Sequence, residues 1–417
     1  MPNFVITINV LTLNIWGIPI ISSDRETRVY GICDELSSGK YDIVSLQEVW
    51  SKSDSELIVQ RTKTVLPYAH YFYSGVMGAG LLVLSKHPIV SAFFHAWSVN
   101  GYFHRIQHAD WFGGKGVGLC KIKIGGHVIH LYNAHLHAEY DSINDDYKTH
   151  RVIQAFDTAQ FIEATRGNSI LQILAGDLNT QPQDISYNVL LQISNMFDSC
   201  SSDTVATNEC NRNSYTSKHS LAHNPLGIRI DHIFVRSAER VETTVLEYGL
   251  AFPDRVPGHK FSFSDHEAIS TKLQINLRNN AMDFDSNTKN CYNTDISTTH
   301  LNIQKIYTKP ICSEAISKRI SLLQESIELC STSLKHLKTD RIYYYLGAFI
   351  LTFILVGIVE FFVPSKIMYL WIKFLFFGAI LFCTFMGSIW NEIERNGVLS
   401  GKTAMEIMLR DITQPVE

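Results

Sequence analysis

Five short polar islands, each closing an apolar run, are spaced along the N-terminal two thirds of the chain. They are Asn14 in LTLNIWGIP, Glu48 in IVSLQEVW, His135 in LYNAHLHAEY, Asp177 with Asn179 in ILAGDLN, and Asp265-His266 in FSFSDHEA. Each run reads as a buried β-strand, so the acids, amides and histidines would gather at the strand ends of one sheet sandwich. That donor set suits one hard divalent cation held against a phosphate, with a base to deprotonate a water. The islands point to phosphoester hydrolysis and leave the phosphoester open.

At 417 residues the chain exceeds the usual single core, so one large domain plus an addition is expected. Residues 1–278 form the candidate catalytic domain. Strands are predicted over Phe4–Leu13, Ile43–Leu46, Gly80–Ser85, Gly118–Ile124, His127–Ala134, Ser169–Ala175, Ile230–Val235 and Ala268–Leu273. Helices are predicted over Arg25–Ser37, Ser53–Leu66 and Asp145–Thr165, giving two mixed sheets face to face with helices outside. The first strand has no basic segment or cleavage site, so it does not read as a secretory signal. This domain carries 27 acidic against 23 basic side chains, which disfavours a nucleic-acid-binding surface. The eight cysteines show no CxxC pairing and read as mostly reduced, buried thiols.

Residues 279–311 are rich in Asn, Asp, Ser and Thr and read as a polar linker. Residues 312–340 recover helical spacing and predict an amphipathic helix. The solvent then changes. Ile342–Val363 carries only Glu360, and Ile367–Trp390 only Lys373, with Pro364-Ser365-Lys366 between them. Each run meets the requirement of roughly 20 apolar residues for a spanning helix, so residues 342–390 predict a transmembrane hairpin. Lys335, Lys338, Arg341, Arg395 and Lys402 flank it, which places the large domain and the 391–417 tail in the cytosol. Glu360 and Lys373 are expected to pair or snorkel near the turn.

A carboxylate at the end of an apolar strand is costly unless paired or metal-bound, which makes Glu48 a ligand candidate. Asn14 offers an amide oxygen beside it. Asp177 could stabilise or protonate a leaving oxygen and Asn179 could donate to a phosphate, although an Asx turn also explains GDLN. His266 is the candidate general base, with Asp231 as the acid on its other nitrogen; His232 then points to the opposite face. His135 closes its own strand. Lys115 in ADWFGGKGVG is a phosphate candidate that Asp110 could hold until substrate arrives, and Trp111 and Phe112 either reach lipid headgroups or pack inside.

Together, Asn14, Glu48, His135, Asp177/Asn179, Asp231 and Asp265-His266 resemble the endonuclease/exonuclease/phosphatase superfamily. Within it, NIWGIP, LQEVW, SKHPI, ADWFGGKGVG, HLHAEY, GDLN, GIRIDHIF and SDHEA resemble the short, hairpin-anchored branch of the neutral sphingomyelinases. The resemblance implies a DNase I-like four-layer α-β-β-α sandwich followed by the hairpin. It implies Mg²⁺, with Mn²⁺ as a substitute, held by Glu48 with Asn14 and Asp265. His266 oriented by Asp231 would be the base, with Asp177 and His135 also catalytic, and Asn179, His135 and Lys115 would bind the phosphate. The implied reaction releases phosphocholine from sphingomyelin at the bilayer, without nucleic acid as partner. A lysophospholipase C acting on lyso-platelet-activating factor, a membrane-tethered nuclease and an inositol phosphatase are the alternatives.

Overall fold

The computed structural model describes residues 4–105, 108, 110–141, 144–201, 205–239, 241–277, 304–306, 313–359 and 366–414. Two compact units divide the chain, Met1–Arg319 and Ile320–Glu417. The first contains β1 (Phe4–Asn14), α1 (Arg25–Leu36), β2 (Ile43–Gln47), α2 (Lys52–Thr62), β3 (Tyr68–Tyr71), β4 (Leu82–Ser85), β5 (Ile89–Ala96), β6 (Gly116–Ile124) and β7 (His127–His135). It continues with α3 (Lys148–Ala164), β8 (Leu171–Asp177), α4 (Ile185–Ser194), β9 (Phe197–Asp198), α5 (Lys218–His223), β10 (Asp231–Ser237), β11 (Val241–Leu250), β12 (Ile269–Leu277) and β13 (Gln304–Ile306). The strands form a seven-stranded sheet, ordered β13-β11-β12-β1-β2-β4-β3, and a six-stranded sheet, ordered β5-β6-β7-β8-β10-β9.

Alternation along β1 shows why the strands read as predominantly apolar runs. Ile8 and Val10 point between the sheets, where they meet Ile122, Leu131, Ile173 and Val235. Leu11 and Leu13 belong to the opposite layer with Val29, Ile32 and Leu36 of α1 and Ile58 of α2. On the far sheet, Tyr132 and Gln172 reach the Ile162 carbonyl of α3. Both sheets are therefore covered on their outer faces, and the architecture is the expected four-layer sandwich.

Pairing places the strand ends together. Parallel β1 and β2 align Asn14 with Gln47, and parallel β7 and β8 align His135 with Asp177. Antiparallel β10 sets Asp231 opposite Asp177. Strands β3 and β5 were not legible in the sequence: they lie at the two sheet edges, and their half-exposed faces give no apolar run. The expected helix from Asp145 starts at Lys148 instead, because the Asp145 carboxylate accepts from Tyr147 N–H at 3.1 Å and pairs with Arg151. Inside the expected linker, Gln304–Ile306 pairs with β11 as a strand; the open edge of β11 offers it backbone partners.

The second unit comprises the body of α6 (Ser313–Val359), α7 (Lys366–Phe385), a π-helical turn at Met386–Trp390 and α8 (Asn391–Thr413). Helix α6 joins the expected amphipathic helix to the first apolar run without a break, since Thr339-Asp340-Arg341 contains neither Gly nor Pro. Two helical stretches, Ser313–Ile358 and Ile367–Thr413, are long and apolar enough to cross a membrane, with mean hydropathies of 1.7 and 2.0 in their most apolar segments. Gly387 packs so closely on Tyr344 and Tyr345 that a Cβ would lie 3.2 Å from each. Asn391 donates to the Leu337 carbonyl at 2.8 Å, and Arg341 meets Glu392 at 2.6 Å. Residues 391–413, expected as a tail, are helical. Glu360 and the turn at 364–365 lie outside the described residues; the Lys373 ammonium lies over the Tyr369 ring at 4.2 Å.

Candidate active site

Glu48 leaves β2 in a left-handed conformation, φ +56°, which costs a residue other than glycine about 1–2 kcal/mol. The turn swings its carboxylate back toward the ends of β1 and β8. Its Oε1 accepts from Asn14 Nδ2 at 2.9 Å, while Oε2 is buried without a hydrogen-bond partner. Burial first, then the negative charge of Asp265, pushes the Glu48 pKa up to about 7. Asn14 Nδ2 donates equally to Asp177 Oδ2 at 2.9 Å, and its Oδ1 accepts Trp16 N–H at 2.9 Å. Asn14 thus bridges two carboxylates through nitrogen. Direct ligation by its oxygen requires an amide flip that releases Trp16.

His266 and Asp231 form a buried pair, Nδ1 to Oδ2 at 2.8 Å. With Nδ1–H committed to Asp231, Nε2 faces Asp177 Oδ2 at 3.7 Å. Burial opposes charge on this imidazole, but Asp231, Asp177 and Asp265 outweigh it and hold its pKa well above the ordinary histidine value. Burial, with some relief from His266, raises Asp177 to about 6, and burial also raises Asp265. Ser264 anchors this corner by donating to the Asn14 carbonyl at 2.6 Å. Facing atoms of Asp177, Asp231 and His266 lie within 4.8 Å of one another.

His135 Nε2 stands 3.4 Å from Asp177 Oδ2 and 4.0 Å from Glu48 Oε1. Burial and then Lys115 drive its pKa well below normal, so the ring is neutral. Lys115 is only 1% exposed, and its ammonium contacts Asp110, His135 Nε2 at 3.3 Å and the Leu136 carbonyl at 3.2 Å. Burial alone would raise Asp110, yet Lys115 and His137 hold it well below the carboxylate range. Tyr140 O–H also donates to Asp110, at 2.6 Å. Asn179, held at φ +42°, spends one N–H on the Leu136 carbonyl at 3.1 Å. Trp111 and Phe112 are half-buried, and Trp111 packs on Phe103.

The strand ends therefore bring Asn14, Glu48, His135, Asp177, Asp231 and His266 into one contact network, with Lys115 joined through His135 and Asn179 through Asp177, whose Oδ1 accepts its N–H at 3.0 Å. Asp265 acts on that network through charge. His232 turns away, its Nε2 bound to the Thr180 carbonyl at 2.8 Å. Sequence reasoning missed Thr207, whose Oγ1 accepts the N–H groups of both Ile230 and Asp231 at 3.1 Å. Its polar loop offers no periodicity that would single it out.

Three carboxylates with raised pKa values and two unpartnered buried oxygens, Glu48 Oε2 and Asp231 Oδ1, are what a hard cation would satisfy. The residues present fit such an ion.

The sequence model of the endonuclease/exonuclease/phosphatase family matches residues 11–266. A Drosophila melanogaster protein provisionally named a neutral sphingomyelinase is 59% identical over 96% of this chain and 97% of its own. Sphingomyelin phosphodiesterase 2 of Mus musculus is 38% identical over 66% of each chain. Among solved structures, D. rerio TDP2 complexed with a single-strand DNA product superposes with a TM-score of 0.50 at 15% identity, covering 64% of this chain and 98% of that one, a likeness of fold. The chain belongs to the endonuclease/exonuclease/phosphatase family, within the branch that holds these neutral sphingomyelinases.

Proposed function

We propose that this protein is a Mg²⁺-dependent neutral sphingomyelinase that hydrolyses sphingomyelin to ceramide and phosphocholine. The observation that carries the chemistry is the buried His266–Asp231 pair facing a carboxylate cluster in which Glu48 Oε2 lacks a partner. The near-full-length likeness to a neutral sphingomyelinase carries the substrate.

Glu48 would hold the ion, with Asp265 adding charge and Asn14 setting the Glu48 carboxylate. Bound there, Mg²⁺ supplies polarisation of the phosphate oxygens. Asp231 fixes the tautomer of His266 so that Nε2 takes the proton from the attacking water. With the charge of Glu48 and Asp265 neutralised, His266 would lose part of the attraction that raises its pKa and would serve as the base. Asn179 and neutral His135 donate to the phosphate oxygens, and Asp177, which burial keeps partly protonated, gives its proton to the leaving ceramide oxygen. Lys115 joins the phosphate only by exchanging Asp110 for it. The water oxygen becomes part of phosphocholine, and the P–O bond to ceramide breaks. Mn²⁺ is the expected substitute for Mg²⁺.

The two apolar helices tether this site to a bilayer. Their flanking cations, Lys335, Lys338, Arg341, Arg395 and Lys402, favour the cytosolic side for both flanks. A glycosylation acceptor inserted after Thr413 should stay unmodified in microsomes; modification there would refute the topology. The functional reading is tested by phosphocholine release from sphingomyelin, phosphatidylcholine and lyso-choline lipids, with Mg²⁺, Mn²⁺ or chelator. Preferred release from sphingomyelin with Mg²⁺ supports it. Release confined to lyso-lipids, or insensitivity to chelator, overturns it.

A further inference from the structure

Between residues 4 and 319, the most exposed large apolar side chains described are Ile20, fully exposed, Leu226 at 88%, Val76 at 82%, Tyr73 at 79% and Ile21 at 67%. All five sit on three loops rooted in the site. Loop 15–24 leaves Asn14, and its Gly17 N–H donates to the Glu48 carbonyl at 3.1 Å. Loop 72–80 lies against the turn that follows Glu48: Val49 N–H donates to the Gly80 carbonyl at 2.9 Å, and a Cβ on Gly80 would come within 2.9 Å of the Trp50 ring. Residues 205–230 carry Thr207 behind Asp231, and Asn208 bridges to Ile228 and His266. Leu226 rides the turn closed by Gly227 N–H to the Asn224 carbonyl at 3.0 Å. Trp16 meets Tyr215 edge-on at 5.0 Å, which joins the first loop to the third.

We propose that these tips form an apolar rim that inserts into the surface layer of a lipid bilayer and seats the mouth of the site at headgroup depth. The inference rests on the sphingomyelinase reading, since the bond to be cut then lies in the headgroup layer. Single side chains on separate loops suit a fluid apolar phase, whereas a protein partner needs one continuous complementary face. Ile20 strengthens the case: a β-branched residue at φ +73° is a costly conformer. It is held by Ile18 N–H to Ser22 Oγ at 3.0 Å and Ser22 N–H to the Ile18 carbonyl at 3.1 Å. The strained turn points Ile20 outward, where water gives no return. Lys218 of α5 is exposed a few residues before Leu226, a cation suited to lipid phosphates.

The test uses the full chain in phosphatidylcholine vesicles containing sphingomyelin, with a short-chain sphingomyelin dissolved as monomer as the second substrate. Ile20→Ser combined with Val76→Ser and Leu226→Ser should lower turnover of the bilayer substrate by about tenfold or more. Monomer turnover should stay within about twofold of wild type. Phe93→Ser, on edge strand β5, should change neither. Unchanged bilayer turnover in the triple variant, equal loss on both substrates, or an equal loss from Phe93→Ser would each overturn the rim. A wild-type chain that cleaves neither substrate would sink the functional reading and this inference with it, whereas failure of the rim alone leaves wild-type turnover in place.

Discussion

Replacing Asp231 with Asn isolates the charge that sets the base. The two side chains have the same shape, Asp231 is fully buried, and its backbone stays pinned by Thr207 and by pairing with Asp177. Asp231 Oδ2 lies 2.8 Å from His266 Nδ1, which puts the charge centres about 4 Å apart. At an effective dielectric of about 20 their attraction is about 4 kcal/mol, roughly three pKa units on the imidazole. Losing it weakens the base and frees the ring to adopt the wrong tautomer. Turnover should therefore fall by about 10²–10⁴-fold. The acidic limb of the pH–rate profile should move down, since a less basic His266 loses its proton at lower pH. The assay is phosphocholine release against pH at several Mg²⁺ concentrations, with calorimetric Mg²⁺ binding in parallel. Turnover within a few fold of wild type would refute the assignment. So would a loss that excess Mg²⁺ restores, because Asp231 would then be acting as a ligand within the Asp177–Asp231–His266 group.

Three further outcomes follow from the same geometry. Glu48, raised to about 7 chiefly by burial, is about half protonated at pH 7; Mg²⁺ binding should release protons there, and apparent Mg²⁺ affinity should rise from pH 6 to 8. Because the folded pKa lies above the unfolded one, Glu48 favours the fold most below about pH 4.5, and in the metal-free protein its contribution of roughly 3 kcal/mol should be lost as pH rises from there through 7. Glu48→Gln should remove the Glu48 share of this pH dependence in denaturant titrations and eliminate Mg²⁺-dependent turnover; a variant that still releases protons on Mg²⁺ addition would contradict the ligand role. Thr207→Val strips two buried N–H groups of their acceptor and should cost about 1–3 kcal/mol of stability. It should also reduce turnover by displacing Asp231; unchanged thermal unfolding and unchanged rate would show that the loop relaxes around the loss.

Strands buried on both faces were legible because apolar residues dominate them up to the site, with only Ser45 inside Ile43–Gln47 and Gln172 inside Leu171–Asp177, and their ends carried the chemistry. Edge strands β3 and β5 were not, since half their side chains face solvent. The contact between Asn14 and Asp177, 163 positions apart, needed the family resemblance, because spacing alone gives no register between distant strands. Whether Asn14 presents oxygen or nitrogen is a question of rotamer, and only the Trp16 N–H bond answers it. The pairing of Lys115 with Asp110 was legible in the sequence, whereas its contacts with His135 and the Leu136 carbonyl were not. Thr207 acts through its hydroxyl on backbone groups, a role that residue type alone does not announce. The apolar runs after Ile342 were legible by length and composition as helices that could cross a membrane, but the continuity of α6 depends on an absence of helix breakers at 339–341, which is easily overlooked where hydropathy changes.

The most direct test compares wild-type and His266→Ala full-length chains in sphingomyelin-containing vesicles at saturating Mg²⁺, reading phosphocholine release. The account predicts Mg²⁺-dependent release by wild type and a loss of about 10²–10⁴-fold in the variant, with Mg²⁺ binding and thermal unfolding retained. Near-normal release by His266→Ala would contradict it.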